Sequence, residues 1–135
     1  MFYNKGQANK QTKGGFTISI ILQRIYEEEN KLGGNRVLVD RVWPRGISKA
    51  DAGVDYWAKE VAPSTKLRKW FDHDPDKFDK FKQLYKEELA QNEEQQEALE
   101  KLKEMATHER LVLLYGAKDK TYNHVNVLKE VLEGE

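Results

Sequence analysis

The sequence contains no cysteine, which excludes disulfides, thiolate metal sites and cysteine nucleophiles at once. It has no excess charge of either sign: 23 basic and 23 acidic residues cancel. No global field therefore draws the chain to duplex DNA or to anionic lipid, and only a local basic patch stays open. Long apolar runs are missing as well. The longest stretches, Ile18 to Leu22 and Leu111 to Tyr115, fall far short of the roughly 20 residues needed to span a bilayer. Met1 to Gly15 carries Lys5, Lys10 and Lys13 but no apolar block, so it does not read as a secretory signal. A cytoplasmic location without membrane attachment is the resulting expectation. No phosphate-binding loop, dinucleotide fingerprint or Gly-x-Ser-x-Gly elbow occurs, and no cofactor is implied.

What is present fits one domain. The chain has 135 residues, of which 39% are hydrophobic and 34% charged, enough for a buried core under a well-solvated surface. Residues 1–15 are rich in Gly, Asn, Gln and Lys and predict a flexible extension, leaving 16–135 as a single domain. Thr17 to Leu22 is β-branched and apolar and predicts a strand. An acidic stretch, Glu27 to Glu29, leads to Gly33-Gly34. Arg36 to Asp40 is a short apolar run bounded by charges, the pattern of a strand buried on both faces. Trp43 to Gly46 reads as a turn.

Ser48 with Asp51 forms a weak capping pattern. Val54, Trp57, Ala58 and Val61 fit helical spacing, while Val54 to Ala58 equally fits a strand. Ser64 caps a short helix ending near Phe71. Asp74-Pro75 starts a longer one carrying Phe78, Phe81, Leu84, Tyr85 and Leu89. A further helix covers about 93–107, with a strongly acidic outer face that reads first as solvated surface. Leu111 to Tyr115 is the clearest strand, and Asn123 or Thr121 caps a final helix. The fold class is α/β: a small, mainly parallel sheet of three to four strands flanked by helices.

Two buried strands end in polar loops, Asp40 to Gly46 and Tyr115 to Asp119. The long helical connection between them favours a parallel relation. Their carboxyl ends would then share one edge, where α/β sheets bind ligands. Arg41, Arg45, Lys118, Asp119 and the start of the final helix would face one crevice, and arginines beside a helix N-terminus suit an anion.

Several segments together resemble the YeaO-like branch of domain of unknown function 488. They are Arg36-Val-Leu-Val-Asp-Arg-Val-Trp-Pro-Arg-Gly46, Ala62-Pro-Ser-Thr65, Leu67-Arg-Lys-Trp-Phe71, His73-Asp-Pro75, and Leu113-Leu-Tyr-Gly-Ala-Lys-Asp119 with Asn123-His124. The resemblance runs from about Ile18 to Glu133 and implies a small bacterial-type α/β protein, without bringing an activity. Longer relatives carry a cysteine-bearing loop at the comparable late strand. Here Tyr115 to Asp119 occupies that place, so thiol chemistry does not transfer.

Each candidate has two readings. Arg41 and Arg45 hold an anionic ligand, or pair with Asp40 and carbonyls to brace their turn. Trp43 and Trp70 stack on a ligand ring, or belong to the core. His73 works as a general acid or base, or braces the short helix; Asp74 is most simply a cap. Asp119 and His124 form the preferred catalytic pair, Asp119 orienting His124 and His124 moving a proton. The alternative is that Asp119 and Asn123 only organise the turn. His73, Asp74, Asp119 and His124 lack diagnostic metal spacing, and no metal site is expected. The leading functional expectation is a small-molecule enzyme or binding protein. Its ligand carries phosphate or carboxylate, held by Arg41, Arg45 and Lys118, and any reaction uses general acid–base chemistry. Two alternatives stand beside it. One is nucleic-acid binding through Arg41, Arg45, Lys66, Arg68 and Lys69 with Trp43 and Trp70. The other is an interaction module using the acidic helix of residues 93–104.

Overall fold

A computed structural model describes residues 19–27 and 32–134; the extension expected over 1–15 and most of the acidic stretch lie outside them. Four strands form one sheet: β1 (Ile20–Arg24), β2 (Asn35–Leu38), β3 (Tyr56–Trp57) and β4 (Leu111–Tyr115), in the spatial order β1-β4-β2-β3. Every pairing is parallel. β4 therefore sits inside the sheet although it comes last. Its five residues are all buried, which explains an unbroken apolar run where a half-exposed strand would alternate. The first strand ends at Arg24, beyond the expected Leu22. The ambiguous segment 54–58 supplies β3, whose two residues pair with Val37 and Leu38 of β2.

Alternation along the strands divides the core. Val37, Val39, Leu111, Leu113 and Tyr115 pack into the larger cluster. Leu38, Val112 and Leu114 join a smaller one with Ile25 and Ala52, flanked by the half-buried Trp43, Ile47 and Trp57. The helices are α1 (Lys49–Ala52), α2 (Thr65–Phe71), α3 (Phe78–Gln91), α4 (Glu93–His108) and α5 (His124–Leu132). α2 to α5 supply most of the other apolar residues of the larger cluster, Phe71, Phe81, Leu102 and Leu128 among them.

Local chemistry sets most boundaries. The side chains of Ser48, Ser64, Asn92 and Asn123 each accept a backbone N–H in the first turn of the helix they cap. Asp74 caps in the same way, but the turn it opens is a short 3-10 segment, Pro75–Lys77, and α3 follows from Phe78. Among the described residues, the charged side chain within β2 is one of three polar exceptions to an apolar interior, with Gln95 and Asn123. Arg36 is 6% exposed, and its guanidinium donates to the carbonyls of Ala52, Gly53 and Leu32. A cation thus meets carbonyls at the C-terminal end of α1, where it is electrostatically favoured. Among the described residues no helix is long and apolar enough to cross a membrane.

Candidate functional site

Parallel pairing brings the carboxyl ends of β1, β4 and β2 to one edge, and a cleft of about 540 Å3 opens there. That volume lies within the range of small-molecule sites. Asp40 and Arg41 enter it as the chain leaves β2. Gly116 and Ala117 enter from the end of β4, and Tyr26 from the end of β1. The opposite wall is Ala62, Pro63, Arg68, Phe71, His73 and Phe81, and Asn123 and His124 close it at the start of α5. Ala62, Phe71 and Phe81 are buried and form an apolar floor, whereas Arg45, Arg68 and His73 are exposed at the rim.

Asp40 is the hub of the inner end. Its Oδ2 accepts the Gly116 backbone N–H at 2.9 Å. A glycine eases that approach: a Cβ on residue 116 would lie 3.2 Å from the same oxygen, so the carboxylate would have to give by a few tenths of an ångström, and 3.4 Å from the Tyr26 ring. The other carboxylate oxygen lies 3.4 Å from His124 Nε2. Burial raises the Asp40 carboxyl above the usual aspartate range, opposed by the charge of His124, the Gly116 N–H and the charge of Arg68. His124 Nε2 also stands 3.0 Å from the Val39 carbonyl oxygen. A carbonyl only accepts, so Nε2 carries a hydrogen in this contact.

The cleft's cations differ in how firmly they are held. Arg41 Nε and Nη2 donate to the carbonyls of Pro63 and Ala62 at 3.2 and 2.9 Å. Its Nη1 has no hydrogen-bond partner among the described residues. The carbonyls it grips belong to a segment strapped from behind. Tyr85 Oη donates to the Val61 carbonyl, Gln95 Nε2 donates to the Ala62 carbonyl at 3.0 Å, and the Ser64 N–H donates to Glu88 at 2.8 Å. Burial pushes the Tyr85 phenol well above its usual range and keeps it a neutral donor. Gln95 Oε1 is buried with no hydrogen-bond partner among the described residues. Arg45 and Arg68 make no side-chain hydrogen bond or ion pair among the described residues. Asp72 and His73 follow α2 with φ of 47° and 54°, a left-handed pair that costs non-glycine residues energy and turns the chain into the cleft wall.

The structure thus gathers Arg41, Arg45, His73 and His124 in one cleft, and leaves the other candidates outside its lining. The partner of His124 is Asp40, in place of the expected Asp119. Asp119 Oδ1 instead accepts the N–H groups of Thr121 and Tyr122, both at 2.9 Å, and these bonds hold its carboxyl below the usual range. It organises the turn that Asn123 completes by donating to its carbonyl. Lys118 is exposed. Trp43 packs edge-on against Trp57, with centroids 5.5 Å apart, and donates Nε1 to the Ile47 carbonyl. Trp70 is 40% exposed, with the Lys77 ammonium 5.2 Å from its ring centroid. The start of α5 offers an anion less than its position implies, because the Asn123 side chain already takes the Asn126 N–H. Asp40, Tyr26 and Arg68 are the residues sequence reasoning left off the candidate site. Asp40 had a signal, as the first polar residue after a buried run. Tyr26 lay hidden because β1 was ended too early. Among the described residues no group of three or more His, Cys, Asp or Glu side chains is placed to hold a metal ion.

Residues 19–135 match the model of the family DUF488-N3i, described as the inactive DUF488-N3 subclade. The chain is 42% identical over 115 residues to the uncharacterized protein YeaO of Escherichia coli (strain K12), covering 85% of this chain and 97% of that one. It is 39% identical over 111 residues to the uncharacterized protein Rv3073c of Mycobacterium tuberculosis (strain ATCC 25618 / H37Rv), covering 82% of this chain and 91% of that one. No solved structure gives a significant match. With a family model and relatives spanning nearly all of the α/β fold, the chain belongs to the DUF488-N3i family of YeaO-like DUF488 proteins.

Proposed function

We propose that the protein binds a small anionic molecule in the cleft at the carboxyl edge of its sheet. One observation carries this reading: three guanidinium groups, two from the loop after β2 and one from α2, line a cleft that holds a single carboxylate, and two of the three have no side-chain partner among the described residues. Water satisfies the exposed guanidinium groups at the rim, but like charges gathered in one cleft repel one another and gain when an anion visits them. The alternative for Arg41, a brace on its turn, is satisfied by only part of its guanidinium.

Binding is favoured over turnover. The family is described as an inactive subclade, the chain has no cysteine, and the expected Asp119–His124 pair does not meet. Asp40 and His124 remain as a hydrogen-bonding end for the ligand. The test is thermal denaturation with phosphate, sulfate and phosphorylated metabolites, on the wild type and on Arg45→Ala. A ligand at a hundred times its Kd should add about 2.7 kcal/mol, a rise of several degrees. The Arg45→Ala variant is expected to lose most of that rise while keeping its own unliganded midpoint. Equal shifts in the two proteins would remove the arginines from the site.

A second reading has one observation in its favour. Lys66, Arg68 and Lys69 are exposed along α2 beside the exposed Trp70, a surface on which a single strand would stack and pair. Titration with oligonucleotides at low and high salt separates it from the first, since only the strand would respond to loss of Lys66 and Lys69.

A further inference from the structure

We infer that the cleft is shaped for a phosphomonoester dianion carrying a compact apolar body, an assignment that rests on the anion-binding reading and narrows it. Two features lead there. The first is the number and origin of the cations. Arg41 leaves the end of β2, Arg45 lies in the following turn, and Arg68 comes from α2 across the cleft. A carboxylate has two oxygens, which one guanidinium fork occupies. A phosphoryl group has three terminal oxygens and carries between about −1.5 and −2 charge near neutral pH, so it has an oxygen and charge to share among all three arginines. The second feature is the floor. Ala62, Phe71 and Phe81 are 2%, 5% and 1% exposed, with the two phenylalanine rings stacked at 4.3 Å between centroids. That floor is nearly closed to solvent, but Tyr26 and Val42, 44% and 67% exposed, also line the cleft and a bare oxyanion would leave them wet; about 540 Å3 is room for considerably more than an oxyanion.

The carboxylate of Asp40 sets the direction. It stands at the inner end beside Gly116 and His124, where it repels an oxyanion. The phosphoryl group therefore belongs toward the rim, with Arg45, Arg68 and the Nη1 of Arg41, and the apolar body points inward past Tyr26 and Val42. His124 and Asp40 are then free to meet a hydroxyl or amine on that body.

Calorimetry with three probes tests this on the full chain: phenyl phosphate, inorganic phosphate and benzoate. Phenyl phosphate is expected to bind at least about tenfold more tightly than either of the others, a difference of about 1.4 kcal/mol. Arg68→Gln, a change at an exposed position, should weaken phenyl phosphate several-fold and leave benzoate nearly unchanged. Benzoate binding as tightly as phenyl phosphate would overturn the dianion assignment while the anion site stands. Inorganic phosphate binding as tightly would overturn the apolar body and likewise spare the anion site. Binding of none of these, or of sulfate, would remove the anion-binding reading itself and this assignment with it.

Discussion

Asp40 carries a cost that the rest of the cleft only partly offsets. Its carboxyl is raised by burial, and the pull of His124, the Gly116 N–H and Arg68 does not reverse that shift. In the unfolded chain the same group titrates at its ordinary value, near about 3.9. As pH rises the unfolded state therefore gives up this proton first, and the folded state loses relative stability until its own raised pKa is passed. Below the ordinary value the carboxyl is protonated in both states and the cost is absent. An Asp40→Asn variant keeps an amide oxygen for the Gly116 N–H and has no proton to lose. Its Tm relative to wild type is expected to climb as the pH rises through the ordinary aspartate range and to level off once the raised pKa of Asp40 is passed. A difference that stays flat across that range would mean that ionising Asp40 costs the fold nothing.

Between elements, the segment 61–64 is held by side chains from α3, α4 and the β2 loop, and its carbonyls in turn hold Arg41. The cap of α5 works on the opposite wall. Asn123 is 2% exposed; it accepts the Asn126 N–H and donates to the Asp119 carbonyl. Asn123→Ala should cost about 1–2 kcal/mol, the upper part of the capping range because the site is buried. Chemical denaturation checks this, and a cost below about 0.5 kcal/mol would show that α5 starts without its cap. Caps of this kind were legible in advance at Ser48, Ser64, Asp74 and Asn123, since a cap is settled within four residues of chain. The two residues of β3 were not legible, being strand only through pairing with β2. Of the cleft, Arg41, Arg45, His73 and His124 were readable as polar residues at strand and helix ends. The contact of His124 with Asp40 was hidden, because it depends on β4 lying beside β2 and joins positions remote in the chain. Asp119 looked the better partner from its nearness in sequence, and its own turn claims it.

On the scale of the whole molecule, a chain with balanced charge concentrates cations at one sheet edge. Attraction at that edge is local and exposed to screening. Phosphate affinity should therefore fall several-fold between about 0.05 and 0.5 M salt, as the Debye length shrinks from about 14 to about 4 Å. Over the same range the unliganded Tm should move little; titration calorimetry and a melting series together check both. The strand order has a consequence of another kind, in the timing of assembly. β1 and β2 have no hydrogen bonds to each other and are joined only through β4, which lies between them. During synthesis β1, β2 and the first four helices are all made before residues 111–115 exist to bridge them. Until then the edges of both strands stay open to pairing with other chains. Every growing copy must shield those edges or fold them last, in one closing insertion whose rate is set by long-range contacts.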